Sequence, residues 1–106
     1  MWLGDSRERT RRFPADVRRE IGHQLGLVQL GHPADDWKSF GEIGPGTIEI
    51  RVHIGGEYRL LYVAKFEEAI YVLHTFRKKT RKTSAPDVEL GRKRYRDLLE
   101  WRRECE

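Results

Sequence analysis

Residues 47–65 read T-I-E-I-R-V-H-I-G-G-E-Y-R-L-L-Y-V-A-K, and the fold follows from them. From Thr47 to Ile54 the chain alternates strictly: Ile48, Ile50, Val52 and Ile54 share one face, while Glu49, Arg51 and His53 share the other. A period of two marks a β-strand, because successive side chains leave opposite faces. Gly55-Gly56 suits a hairpin turn. The chain returns from Glu57 to Lys65, with Tyr58, Leu60, Tyr62 and Ala64 on the face opposite Arg59, Leu61, Val63 and Lys65. Phe66-Glu67-Glu68 turns it again, and Ala69 to Phe76 supplies a third strand rich in β-branched, aromatic and aliphatic residues. Two hairpins in succession give an antiparallel meander rather than a parallel α/β sheet.

Outward from the meander, the patterns become helical. Val17, Ile21, Leu25 and Val28 recur as one apolar stripe after Phe13-Pro14, predicting a helix that Gly31 and Pro33 end. Gly22 and Gly26 on this helix are expected to allow close packing. A shorter helix runs to about Arg12, started by Asp5 or Ser6, after the apolar Met1-Trp2-Leu3, which reads as the end of an edge strand. Between residues 32 and 45, Trp37 and Phe40 are expected to anchor a connection to the core, with a short strand near Lys38 to Phe40. Ser84-Ala85-Pro86-Asp87 starts a last helix whose stripe is Val88, Tyr95, Leu98 and Leu99, ending near Arg103. The fold class is therefore α+β: an N-terminal helical hairpin packed on a small antiparallel sheet of at least three strands, with a C-terminal helix. One domain spans residues 1–106.

Composition narrows the class of function. The 106 residues are 36% charged, and the net charge of +4 is unevenly spread. Arg77, Lys78, Lys79, Arg81 and Lys82 are interrupted only by Thr80, a density that favours an anionic partner such as nucleic acid. Cys105 is the single cysteine, so no disulfide forms within the chain. No apolar run approaches the ~20 residues that span a bilayer, and no apolar leader stands at the N-terminus. The expectation is a cytoplasmic protein with no membrane association.

Three features can carry chemistry. Arg51 and Arg59 stand mid-strand on either side of the hairpin. A salt bridge to Glu49 or plain solvation accounts for them, and so does a guanidinium fork gripping phosphate. His74 precedes the cationic run; cations beside it would lower its pKa and leave a neutral imidazole able to act as a general base. The cationic run itself is either a solubilising loop or a phosphate-neutralising one. His23, His32 and His53 show no ligand spacing, so neither metal nor cofactor is expected.

Several stretches together resemble a known family. Leu3-Gly4-Asp5-Ser6, Gly46 through Glu49-Ile50-Arg51, Tyr58-Arg59-Leu60-Leu61-Tyr62, and His74 to Thr83 (H-T-F-R-K-K-T-R-K-T) look like the phage-derived HigB-like branch of the RelE/ParE toxin superfamily. The resemblance implies the toxin of a type II toxin–antitoxin pair, with a small helix-turn-helix antitoxin as partner. It also implies metal-independent cleavage of mRNA on the ribosome by attack of the ribose 2′-OH on the adjacent phosphate. Mapped by that resemblance, Arg59, Arg51, His74, Lys78 and Lys79 are the catalytic candidates. Arg59 is the first of these for stabilising the transition state, and His74 is the titrating group. Arg77, Arg81 and Lys82 are the RNA-binding candidates. Where some relatives carry two lysines before the hairpin, this chain has Glu49 and Arg51, and Tyr95 is expected to be core rather than catalytic. The alternative is a ParE-like inhibitor of DNA gyrase, or a non-catalytic module binding nucleic acid or antitoxin, since fold alone does not separate these.

Overall fold

The apolar face of the 47–63 hairpin needs cover on one side, and its mixed face needs cover on the other. A computed structural model, which describes residues 1–105, supplies both. Two N-terminal helices, α1 (Ser6–Arg11) and α2 (Ala15–Gln29), precede a four-stranded antiparallel sheet, and helix α3 (Ala85–Glu104) follows it. The strands β1 (Trp37–Ser39), β2 (Thr47–His53), β3 (Glu57–Val63) and β4 (Tyr71–Lys78) lie side by side in chain order. This is the α+β meander expected from the alternation.

The two sheet faces build separate cores. Val17 and Ile21 of α2 pack against Ile50, Val52, Tyr58, Leu60, Tyr62 and Val72. Tyr95 and Leu98 of α3 pack against Leu61, Val63, Tyr71, Leu73 and Phe76, with Ile43 from the β1–β2 connection. Burying each such side chain is worth roughly 1.5–3 kcal/mol. Tyr95 is core, as its stripe position implied. Its hydroxyl donates to the Pro45 carbonyl at 2.6 Å and accepts from Lys65 Nζ at 2.9 Å.

One irregularity in the sheet governs everything near the site. Leu61 pairs with His74, but Tyr62 pairs with Val72, so Leu73 is an extra residue in β4. A bulge of this kind re-aims every side chain beyond it. Counted from Tyr71 on the α3 face, strict alternation would send Thr75 and Arg77 to that face. The bulge instead puts His74, Phe76 and Lys78 there, opposite Leu61, Arg59 and Glu57.

The bulge has its own support. Arg94 of α3, almost fully buried, donates from Nη1 to the Leu73 carbonyl at 3.0 Å and from Nη2 to Asp5. The Asp5 carboxyl is held at about 2, first by its bond from Arg9 and then by Arg94. Gly4 sits at φ +54°, and a Cβ there would lie 2.5 Å from Arg94 Nε. The Leu3-Gly4-Asp5-Ser6 motif therefore clamps the guanidinium that holds the bulge. Just before it, Trp2 bridges Val72 in parallel, and Leu3 N donates to the Val72 carbonyl at 2.9 Å.

Some local expectations change. The edge strand β1 is Trp37–Ser39 rather than Lys38 to Phe40. Trp37 is 47% exposed and anchors nothing, because its place on the outermost strand leaves one flank without a neighbour. Phe40 does reach the α3-side core. Gly22 and Gly26 admit no close packing: a Cβ at either would meet nothing within 4 Å. The third strand begins at Tyr71 and runs to Lys78, past the expected Phe76, because Arg77 and Lys78 still pair with Tyr58 and Glu57. Among the described residues, no helix is long and apolar enough to cross a membrane.

Candidate functional site

On the α3 side of the sheet, the mixed face opens into a cleft of about 500 Å³. Glu49 and Arg51 of β2 form one side, and Lys78, Arg81 and Lys82 form another. Lys38, Phe40, Glu42 and Val88 complete the wall toward β1 and α3. Strand pairing fixes this geometry: Lys38 opposes Glu49, Arg51 opposes Arg59, and Lys78 reaches the same face through the bulge. Thr80 Oγ1 donates to the Lys82 carbonyl at 2.5 Å, shaping the turn that carries Arg81 and Lys82.

The cleft is cationic, with one buried anion in its side. Glu49 is only 4% exposed, and its Oε1 accepts from Arg51 Nε at 3.1 Å. Arg59 Nε lies 3.8 Å from the same oxygen, close enough for attraction but too far for a hydrogen bond. The rest of Arg59 is occupied: Nη1 donates to the Tyr58 carbonyl at 3.0 Å and Nη2 to Glu57 Oε1 at 3.1 Å. Arg59 is 5% exposed and stands behind the cleft wall rather than in it, whereas Arg51 is half-buried and lines it.

His74 lies deeper still. It has no exposed surface, stacks on Phe76 at 5.1 Å between centroids, and shares a 2.7 Å hydrogen bond between Nε2 and Asp87 Oδ1. Asp87 also takes a 2.7 Å bond from Ser84 Oγ at the start of α3, so His74 ties the sheet to that helix terminus. Burial lowers the pKa of His74, and Asp87 pushes it back up. The downward charge contributions come from Arg94 and Arg9, not from the strand-end lysines that the sequence suggested.

The remaining candidates separate. Arg77 points to the opposite face, its guanidinium 5.8 Å from the centre of the Tyr58 ring, beside Asp5, Arg9 and Phe13. Lys79 is exposed just past the end of β4, outside the cleft lining. Of the eight residues singled out, Arg51, Lys78, Arg81 and Lys82 are thus brought together at the cleft surface. The sequence offers Glu49 only as an ion-pair partner. Its placement among cations on the Arg51 face was the available signal.

A second titratable cluster lies at the hairpin. His53 Nε2 is 2.6 Å from Asp36 Oδ2, and its Nδ1 is 2.7 Å from Glu57 Oε2. Asp36 first, and Glu57 after it, raise the His53 pKa. Glu57 therefore links His53 to Arg59. Among the described residues no three His, Cys, Asp or Glu side chains are arranged to hold a metal ion.

A family model described as Phage derived protein Gp49-like (DUF891) matches residues 8–96. The chain belongs to that family. Gp49-like proteins are associated with RelE-like toxins of toxin–antitoxin systems. The matched span holds the whole sheet and every residue of the cleft, while the Leu3-Gly4-Asp5-Ser6 clamp lies just before it. No curated protein and no solved structure matches the chain.

Proposed function

We propose that this Gp49-like protein is the toxin of a toxin–antitoxin pair and a metal-independent endoribonuclease that cuts mRNA, on the ribosome, at the cleft beside Glu49. The observation that carries the reading is that Glu49, Arg51 and Lys78 lie on one face of the sheet and line one cleft. Cleavage begins with the 2′-oxygen attacking phosphorus while its proton passes to a base. The bond from phosphorus to the 5′-oxygen then breaks, and a proton is delivered to that oxygen, leaving a 2′,3′-cyclic phosphate and a 5′-hydroxyl. Glu49 is the buried carboxylate at hand for the first proton. Lys78, in the same cleft lining, is the donor for the second. Arg51, with Arg81 and Lys82, meets the charge growing on the phosphoryl oxygens, the contribution expected to dominate such a reaction. In this assignment Arg59 braces Glu49 from behind, and His74 seats α3 against the sheet. A helix-turn-helix antitoxin that covers the cationic face is the partner this reading requires.

The test is primer extension on mRNA from cells in which the protein is induced. Discrete breaks are expected with the wild type. Glu49→Gln should lower cleavage about 10²–10⁴-fold, the range for losing one proton-transfer group. Arg51→Ala and Lys78→Ala should abolish growth arrest in protein that still melts cooperatively. Intact mRNA together with gyrase-dependent DNA damage would overturn the reading in favour of gyrase inhibition. So would full toxicity of all three variants.

A further inference from the structure

The cleft lining includes two apolar residues that phosphate chemistry does not use. They are Phe40 and Val88, each half-buried, packed against the α3-side core on one side and open to the cleft on the other. Phe40 is the single aromatic residue of the lining. It is held at both backbone polar groups, its N–H donating to the Thr47 carbonyl at 2.9 Å and its carbonyl accepting from Ile43 N at 3.2 Å. The following turn is fastened to α3, where Arg92 Nε donates to the Glu42 carbonyl at 2.9 Å. A half-buried aromatic residue on a fastened main chain therefore lines the same groove as Lys38, Arg51, Lys78, Arg81 and Lys82.

We propose that Phe40 and Val88 form a shelf that takes one unstacked base of a single-stranded RNA while the backbone phosphates follow the cationic wall. The proposal rests on the nuclease reading for the identity of the nucleic acid. The chemistry is specific to a nucleotide: an aromatic face accepts any base, and a neighbouring row of cations tracks the backbone. The cleft volume, at the scale of a small-ligand pocket, has room for about one or two nucleotides. A paired base inside an A-form helix is stacked on both sides and cannot reach such a shelf, so the substrate is single-stranded there. An acidic peptide would satisfy the cations but leave the ring unused.

Binding is measured by fluorescence anisotropy with a short 2′-O-methyl oligoribonucleotide, which has no nucleophile and stays uncut. Its abasic counterpart of equal charge and a duplex of the same sequence are the comparisons. The wild type should bind the base-bearing strand about 5- to 150-fold more tightly than the abasic strand. Phe40→Leu, which keeps apolar volume under the turn, should bring that ratio to about one, and Phe40→Trp should preserve it. Trp37→Ala, on the far face of the sheet, should leave the ratio as in wild type. An unchanged ratio in Phe40→Leu, equal binding of the abasic strand by wild type, or preference for the duplex each overturns the shelf. Mapped cleavage is a separate readout: breaks in mRNA without a base-dependent ratio remove the shelf and keep the nuclease. A base-dependent ratio without breaks keeps the shelf and removes the nuclease.

Discussion

Arg51 and Arg59 face each other across paired strands, yet burial gives them different work. Arg51 keeps nearly a third of its side chain in solvent and lines the cleft, whereas Arg59 keeps 5% and is ringed by Glu49, Glu57 and a backbone carbonyl. Removing Arg59 takes a nearly buried guanidinium away from the buried Glu49, the half-exposed Glu57 and the Tyr58 carbonyl. Arg59→Ala should therefore cost about 2–4 kcal/mol in urea unfolding, while Arg51→Ala should cost less than about 1 kcal/mol and act on RNA cleavage instead. The two histidines respond to pH in opposite senses. The pKa of His74 is lowered by burial, so its contribution is complete above the ordinary 6.5 and fades as pH falls below it. That of His53 is raised by Asp36 and Glu57, so its contribution is complete below 6.5 and fades as pH rises through the folded-state value. Melting temperatures followed from about pH 5 to 9 should lose their acid-side decline in His74→Asn and part of their alkaline-side decline in His53→Gln.

At the level of strands and helices, the meander was legible in the sequence because Ile48, Ile50 and Val52 leave no other period, and a pair of glycines marks its first turn. The bulge was not. Leu73 is one apolar residue among apolar neighbours, and nothing in I-Y-V-L-H-T-F says which of them drops out of the ladder. Parity alone therefore left the faces of His74 and Lys78 open, and with them half of the candidate site. The clue lay at a distance, in a buried arginine of α3 whose partner is a motif at residues 4 and 5. Arg94→Met should cost about 2–4 kcal/mol, since it leaves the Leu73 carbonyl without its donor and Asp5 with Arg9 alone. If Arg94 aims the strand, loss of cleavage in this variant at a temperature where it remains folded is the accompanying result. Gly22 and Gly26 offer the reverse case. Both lie within α2 with open space where a Cβ would be, so Gly22→Ala and Gly26→Ala should each stabilise by up to about 1 kcal/mol in thermal or urea unfolding. Gly44→Ala should destabilise, because the added Cβ would lie 2.6 Å from the Tyr95 ring.

For the molecule as a whole, a net charge of +4 understates what RNA would meet. Of the cations in the 77–82 run, Lys78, Arg81 and Lys82 gather at the cleft with Lys38 and Arg51, while Arg77 faces away. Single-strand affinity should fall with salt by a slope of about 0.7 per neutralised phosphate. Arg81→Ala and Lys82→Ala should each flatten the slope by roughly that amount, and Arg77→Ala should leave it unchanged in the same titration. The cationic density was legible in the sequence, but its division between two faces required the register.

The parallel contact between Trp2 and Val72 bears on how the molecule assembles in time. Among the described residues every other pairing in the sheet joins neighbours along the chain, whereas this one closes a loop of about 70 residues. Such a contact gains nothing until the strand that receives it already stands, so it forms late and opens early. The amide of Leu3 should then exchange with deuterium well before those along β3. The earliest excursion away from the native state should be a peeling of the segment that braces the arginine behind the bulge.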